Sequence, residues 1–583
     1  MRDQTVDDIL GLRNIEEVKI AQNGKIVGTI VSDNFREYRK KEFRKIVYMF
    51  DEKFNILARY DGYGLHSLSF SDDGSAVFAE GNEIVVLSQS GMPVKYDTGM
   101  KVSSISFMSG KPLFTGTMET KKKEDDAYFF EEEDPFTNLY LMDSSGIKKI
   151  TDNLQIWEFS SSDGVIYTVA SKCPQESCWY ASKVYRIVPG KDPEIIYDPG
   201  KRQIGKITTD GKRSAFLESV MSDRGVISGD IILYDGSARN ITEGSTSSYS
   251  HVILCDNAVF ALENDRTTFR IRNLDSGEII WSGMGAVYPV YSPSFDHAAD
   301  AFAFAFSSPA DPPEIHLLRD AETKSSINSH LDGVSPYPAE IVEWKAKDGE
   351  DLYGILRLID PKNPLIVYIH GGPTSFSYAS FLDRTSIYLG YGFNVFAPNY
   401  RGSVGKGRRY AELNVGDLGG KDFDDVISGI EFLKNTGKIA TDRIYITGGS
   451  YGGYMSALAV MKTDIFRASV SLFGISDWVS FHGVSNLHLW DRLHMDADPW
   501  AFKKYDEYSP IRIMHEPKTP TLLMHGIKDP YVPIGQYYEF YRFLKEKNCE
   551  VRMIVFPREG HGFTEKEHIR RQYMETIRFM KDH

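Results

Sequence analysis

Three residues whose side chains can together open an acyl bond lie between positions 450 and 561 of this 583-residue chain. Ser450 sits in Gly448-Gly449-Ser450-Tyr451-Gly452, behind the apolar run 444–447. Asp529 ends His525-Gly526-Ile527-Lys528-Asp529, behind the run 521–524, and His561 stands between Gly560 and Gly562, behind the run 551–556. A serine hydroxyl at its ordinary pKa is a poor nucleophile and needs a base within hydrogen-bonding reach. An imidazole can take that proton, and a carboxylate behind it fixes the tautomer and stabilises the imidazolium. Glycines flanking Ser450 let neighbouring backbone approach without a Cβ clash. A helix beginning there would point N–H groups and its positive dipole end at the spot where an oxyanion develops. Each signal alone also fits an ordinary turn. Together, in this order and each behind a strand, they point to a serine hydrolase.

Such residues need a sheet to hold them. From about residue 326, short apolar runs alternate with helical segments. An opening hairpin turns at Asp348-Gly349, and further runs follow at 365–369, 394–397, 444–446, 468–472, 521–524 and 551–556. Near-continuous apolar strands separated by helices indicate a mostly parallel, doubly wound sheet covered on both faces. In such sheets ligands bind beyond the carboxyl ends of the strands. The fourth strand-end feature is His370-Gly371-Gly372-Pro373, whose glycines leave backbone N–H groups free to face a ligand. Serine, aspartate, histidine is also the chain order of α/β-hydrolases.

The first half has a different rhythm. Strand pairs around polar turns recur at Asn23-Gly24, Asp73-Gly74, Ser109-Gly110, Asp163-Gly164, Asp210-Gly211, Asp256-Asn257 and Asp296-His297. That spacing matches four-stranded propeller blades and predicts a seven-bladed β-propeller rather than two β-sandwiches. The domains expected are residues 1–17, with a short amphipathic helix over 5–17 packing with the hydrolase domain, residues 18–325, the propeller, and residues 326–583, the α/β-hydrolase domain. One charged excursion, residues 121–135, interrupts the third blade. It reads as solvated surface, and Glu131, Glu132 or Glu133 is the candidate there to meet a substrate amino group.

Composition narrows the class. The net charge of -14 argues against a nucleic-acid partner, and no apolar run is long enough to span a membrane. The charged first residues lack the apolar stretch of a signal peptide, so the expected address is the cytoplasm. Cys173 and Cys178 have no second cysteine or histidine pair to complete a metal site. They read as thiols of a surface loop, and neither a metal nor a cofactor is expected.

The chain resembles the prolyl oligopeptidase family of serine peptidases, and within it the acylaminoacyl-peptidase branch. The matching passages are His370-Gly-Gly-Pro373, Asn399-Tyr-Arg-Gly-Ser403 with Gly405 and Gly407, Gly416-Asp-Leu-Gly-Gly-Lys-Asp422 with Asp425, Gly448-Gly-Ser-Tyr-Gly-Gly453, Asp477-Trp478, His525-Gly526 with Asp529, and Gly560-His-Gly562. The resemblance implies hydrolysis of short peptides through an acyl-enzyme, releasing N-acylated amino acids or dipeptides, with Ser450, Asp529 and His561 as the triad. A free-amine dipeptidyl peptidase and a carboxylesterase with the same triad are the alternatives. It also implies an oxyanion hole at the N–H groups of Gly372 and Tyr451, and Trp478 as an aromatic wall for the side chain before the scissile bond. Arg401, Asp422 and Asp425 are implied to hold loops near the site. The family often writes Asp-x-Arg-Val-Pro at the triad aspartate, its arginine binding a substrate carbonyl. Here the run is Asp529-Pro-Tyr531-Val-Pro533, so Tyr531 offers a single hydroxyl, and the charged anchor is expected elsewhere, the propeller included. Self-association is compatible with the sequence without being required by it.

Overall fold

The computed structural model of the protein describes residues 1–118, 127, 129–132, 134–255, 257–501 and 503–583. Seven antiparallel sheets follow one another from Arg13 to Lys324, six of four strands and the last of five. Each blade opens with a hairpin, and the residues at its tip take positive φ, from Gly24 (69°) through Gly164 (76°) to Asn257 (65°). That conformation explains the recurrent Gly and Asn in these turns. The last turn differs from expectation. Asp296 and His297 lie within the strand Phe295–Ala298, and the chain reverses at Ala299, with φ 53°. Of the Asp256-Asn257 turn, Asp256 lies outside the described residues. The first and last blades close the ring by side-chain packing, with no strand exchanged: Ile15, Val18 and Ile20 join Ala301, Ala303 and Ile315 in one apolar cluster.

The helix expected over residues 5–17 is confined to Val6–Gly11, where Thr5 reaches Asp8 through its N–H and hydroxyl, both 2.8 Å. Arg13–Ile20 is instead the first strand of the first blade. A bulge between Ile15 and Glu17 places Ile15 and Val18 three residues apart on one face, which imitates a helical period. The helix itself packs on the C-terminal domain: Val6, Ile9 and Leu10 cluster with Ile569, Tyr573 and Ile577.

The C-terminal domain is built on one eight-stranded sheet. Its strands are β1 (Glu340–Lys345), β2 (Asp351–Arg357), β3 (Leu365–Ile369), β4 (Asn394–Asn399), β5 (Ile444–Gly449), β6 (Ala468–Leu472), β7 (Thr521–Gly526) and β8 (Val551–Phe556). Their spatial order is β1-β2-β4-β3-β5-β6-β7-β8, with β2 antiparallel to both neighbours and every other pair parallel. The reversal between β4 and β5 around β3 is the switch point at which ligands bind in open parallel sheets. Among the described residues no helix is long and apolar enough to cross a membrane.

Several family-like motif residues turn out to fasten the two domains. Gly405 and Gly407 donate their N–H groups to Ser248 Oγ of the propeller, at 2.9 and 3.1 Å. A Cβ on Gly407 would lie 2.2 Å from the Ser245 carbonyl, so only glycine permits this approach. Arg36 pairs in register with Glu565 on the opposite side, exchanging backbone hydrogen bonds with Thr564 and Lys566.

The two thiols expected in a surface loop are joined as a Cys173–Cys178 disulfide. The turn entering the 3₁₀ segment Glu176–Ala181, where Cys178 N–H donates to Gln175 O, folds the second cysteine back toward the first. Gln175 in turn donates to Glu131 O at 2.7 Å and to Asp134 Oδ2 at 3.2 Å. Glu131 and Glu132 are exposed, while residues 121–126 and Glu133 of that charged excursion lie outside the described residues.

Candidate active site

β5 ends at Gly449, and the helix Tyr451–Lys462 begins one residue after Ser450. Ser450 itself takes φ 59° and ψ −120°, a conformation that costs energy for a residue with a Cβ and holds the hydroxyl out beyond the carboxyl end of β5. The corner is tight. A Cβ on Gly452 would stand 2.1 Å from the Ile369 carbonyl at the end of β3, which accounts for the glycine two residues after the serine.

The loops after β7 and β8 bring the other two groups to this corner. His561 Nε2 lies 2.9 Å from Ser450 Oγ, and His561 Nδ1 lies 2.8 Å from Asp529 Oδ2. Asp529 is buried, and its second oxygen accepts the N–H groups of Tyr531 and Val532 at 3.0 and 2.9 Å. Burial pushes its carboxyl upward, but hydrogen bonds from His525 and His561 outweigh that and hold it below the usual range. A carboxylate so held remains ionised and orients the imidazole. His525 donates from Nε2 to the Val532 carbonyl at 2.7 Å and steadies the same loop.

Gly372 and Tyr451 flank Ser450, and their backbone N–H groups donate to no acceptor among the described residues. The Tyr451 side chain is anchored away from the cavity, its hydroxyl 2.5 Å from Asp422 Oδ2 and accepting from Gly419 N–H. Burial raises the Asp422 carboxyl to about 7. Arg401 bridges Asp425 and Asp348 with contacts of 2.8 to 3.0 Å beneath the same loops.

Two cavities meet at Ser450, His561 and Gly372, between the domains. The first, about 390 Å³, ends in an apolar box of Ile475, Phe481, Leu487, Trp490 and Val532. Trp478, expected as the aromatic wall, does not line it. It is 0% exposed and stacks behind, with ring centroids 5.4 Å from Phe481 and 5.9 Å from Trp490. Asp477 caps the helix Trp478–Val484, on which Trp478 is turned into the core and Phe481 reaches the cavity, while Trp490 comes from the next helix, His488–Met495. Tyr531 does line the cavity, its ring edge-on to His561 at 5.4 Å.

The opposite wall comes from the propeller, which sequence reasoning named only as a possible source. Glu176 and the loop Ser222–Gly225 face the cavity. Arg224 forms a fork with Glu176, 3.0 and 3.3 Å, and lies over the Trp157 ring at 5.1 Å. Ser222 fastens this loop to the strand-end loop holding Gly372, accepting Thr374 N–H at 2.9 Å and meeting Thr374 Oγ1 at 2.6 Å. No local pattern marks these residues.

Residues 379–583 match the model of the prolyl oligopeptidase family. The C-terminal domain thus carries the pattern of that family. The chain is 30% identical over 308 residues to the uncharacterized peptidase YuxL of Bacillus subtilis, a match covering 49% of this chain and 47% of that protein. It is 34% identical over 210 residues to the acylamino-acid-releasing enzyme of Arabidopsis thaliana, covering 34% of this chain and 27% of that one. The matches thus span less than half the length of these curated relatives. In fold the likeness extends over nearly the whole chain: the acylaminoacyl peptidase of Pyrococcus horikoshii superposes with a TM-score of 0.83 over 99% of this chain and 97% of its own, at 21% identity.

Proposed function

We propose that this chain is a serine peptidase of the prolyl oligopeptidase family that acts on short peptides, with Ser450 as nucleophile, His561 as general base and acid, and Asp529 as its orienting carboxylate. The observation that carries the reading is the continuous chain from Ser450 Oγ through His561 to a buried, ionised Asp529, opening on a cavity between two domains. Ser450 Oγ attacks the scissile carbonyl carbon while His561 Nε2 takes its proton. The oxyanion is met by the N–H groups of Tyr451 and Gly372. Collapse breaks the C–N bond, His561 returns the proton to the departing amine, and water repeats the cycle on the acyl-enzyme. The apolar box would take an aliphatic or aromatic side chain before the cleaved bond, and Arg224 supplies the guanidinium that Tyr531 lacks.

The leading substrate class is an N-acylated peptide, cleaved to release the acyl-amino acid. A free-amine reading has one observation in its favour: the Asp223 carboxylate faces the cavity with Gly225 N–H as its donor among the described residues. A cytoplasmic address belongs to the same proposal, and a Cys173–Cys178 disulfide there requires a cytosol that tolerates structural disulfides, as those of hyperthermophiles do.

Ser450→Ala tests the mechanism. It should abolish fluorophosphonate labelling and peptide turnover while leaving the unfolding midpoint near that of the parent. Retention of most activity would refute the assignment. Rates on acetyl-amino-acid, free dipeptidyl and short-chain ester chromogens then separate the substrate classes.

A further inference from the structure

The second cavity, about 330 Å³, leaves Ser450 on the side away from the apolar box. Its mouth shares His561, Gly372 and Asp223 with the first cavity, whereas its far wall holds Arg384, which the first does not reach. With the acyl side chain in the apolar box, the departing fragment occupies this second space; the inference therefore rests on the reading above.

Arg384 has an open face although protein encloses it, because the surface it exposes is the wall of this cavity. Among the described residues it forms no salt bridge. The adjacent acid is fully engaged elsewhere: Asp383 binds Arg357 at 2.5 Å and accepts the N–H groups of Thr385 and Ser386, both at 2.8 Å. The Arg384 backbone is pinned by the Tyr573 hydroxyl, which donates to its carbonyl at 3.1 Å. Around the guanidinium stand phenols rather than carboxylates. Tyr291 from the propeller lies 5.9 Å away by ring centroid, and Tyr368 lines the same wall. Burial raises Tyr368 to about 12 and Tyr378 further, so both keep their protons. The hydroxyls of Tyr291, Tyr368 and Tyr378 donate to no acceptor among the described residues. Of the two carboxylates that line this cavity, Asp383 is spent on Arg357 and Asp223 stands at the shared mouth, so the guanidinium and the O–H donors at the far end make a cradle for a planar anion.

We propose that Arg384, with Tyr291, Tyr368 and Tyr378, binds a carboxylate of the leaving peptide fragment, above all its free C-terminus. The site would favour short peptides whose C-terminus lies just beyond the cleaved bond, and it would count the residues released.

The test compares kcat/KM for three N-acetylated peptides identical up to the cleaved bond: one ending in a free acid, its C-terminal amide, and an amide with glutamate after the cleaved bond. The parent enzyme should prefer the free acid over the amide by roughly 10- to 100-fold, the range of a charge-assisted hydrogen-bonding pair, carried chiefly in KM. Arg384→Gln should collapse that ratio toward one. Preference for the glutamyl amide would assign the cradle to a side-chain carboxylate instead of the terminus. Equal rates for all three in the parent enzyme overturn the proposal without any variant, as does a ratio unchanged by Arg384→Gln. Ser450→Ala must silence every peptide; if it does not, the reading of the active site fails, and that outcome is separate from a failure at Arg384.

Discussion

Replacing Asp529 by Asn changes one atom, and the surrounding hydrogen bonds decide what that atom does. Oδ1 of Asp529 accepts two backbone N–H groups, at 3.0 and 2.9 Å, so the asparagine must keep its carbonyl oxygen there. Its NH₂ group then faces His561 Nδ1, where the carboxylate oxygen stood at 2.8 Å. Donation to Nδ1 forces the imidazole proton onto Nε2, which points at Ser450 Oγ from 2.9 Å and can no longer accept. The fold survives and the base is lost. We expect kcat to fall by about 10⁴, a barrier rise of about 5.5 kcal/mol. Initial rates on an acetylated chromogenic peptide and the rate of fluorophosphonate labelling should fall together, with circular dichroism unchanged. A kcat within about tenfold of the parent would refute the tautomer argument and the role of Asp529 with it.

Three further predictions separate packing from recognition and add a pH dependence. Trp478→Ala should cost about 3–5 kcal/mol in denaturant unfolding and leave side-chain preference intact, since Trp478 is fully buried behind the cavity. Trp490→Ala should lower kcat/KM for large apolar side chains by about 10- to 100-fold relative to alanine; the opposite pattern would return the wall to Trp478. The Arg558 fork and the Arg39 N–H hold the Glu565 carboxyl at about 2, against an ordinary 4.5. A carboxylate held low adds stability above its unfolded value and loses it as pH falls through its folded one. The urea midpoint of the parent should therefore drop more steeply between about pH 5 and 2 than that of Glu565→Gln, and parallel curves would contradict this.

Much of the site was legible because its signals are local. Backbone sterics demand glycine beside Ser450, where a side chain at Gly452 would strike the Ile369 carbonyl. Apolar runs announce buried parallel strands, and turns needing positive φ select Gly or Asn, so both halves of the architecture could be read along the chain. Local reasoning failed where two distant signals coincide. The bulge after Ile15 gave a strand the spacing of a helix. Trp478 follows a motif aspartate, yet Asp477 uses its oxygen to cap a helix on which that ring is turned inward. The other wall of the cavity carries no sequence signature, because Glu176, Asp223 and Arg224 reach Ser450 only when a propeller loop is fastened to Thr374. Arg384 is the same case in sharper form. Its lack of an acidic partner depends on Asp383 being spent on Arg357, and its cavity depends on a tyrosine from the last blade. The chemistry of the nucleophile is thus written in short segments, whereas what the enzyme admits is set by contacts between domains far apart in the chain.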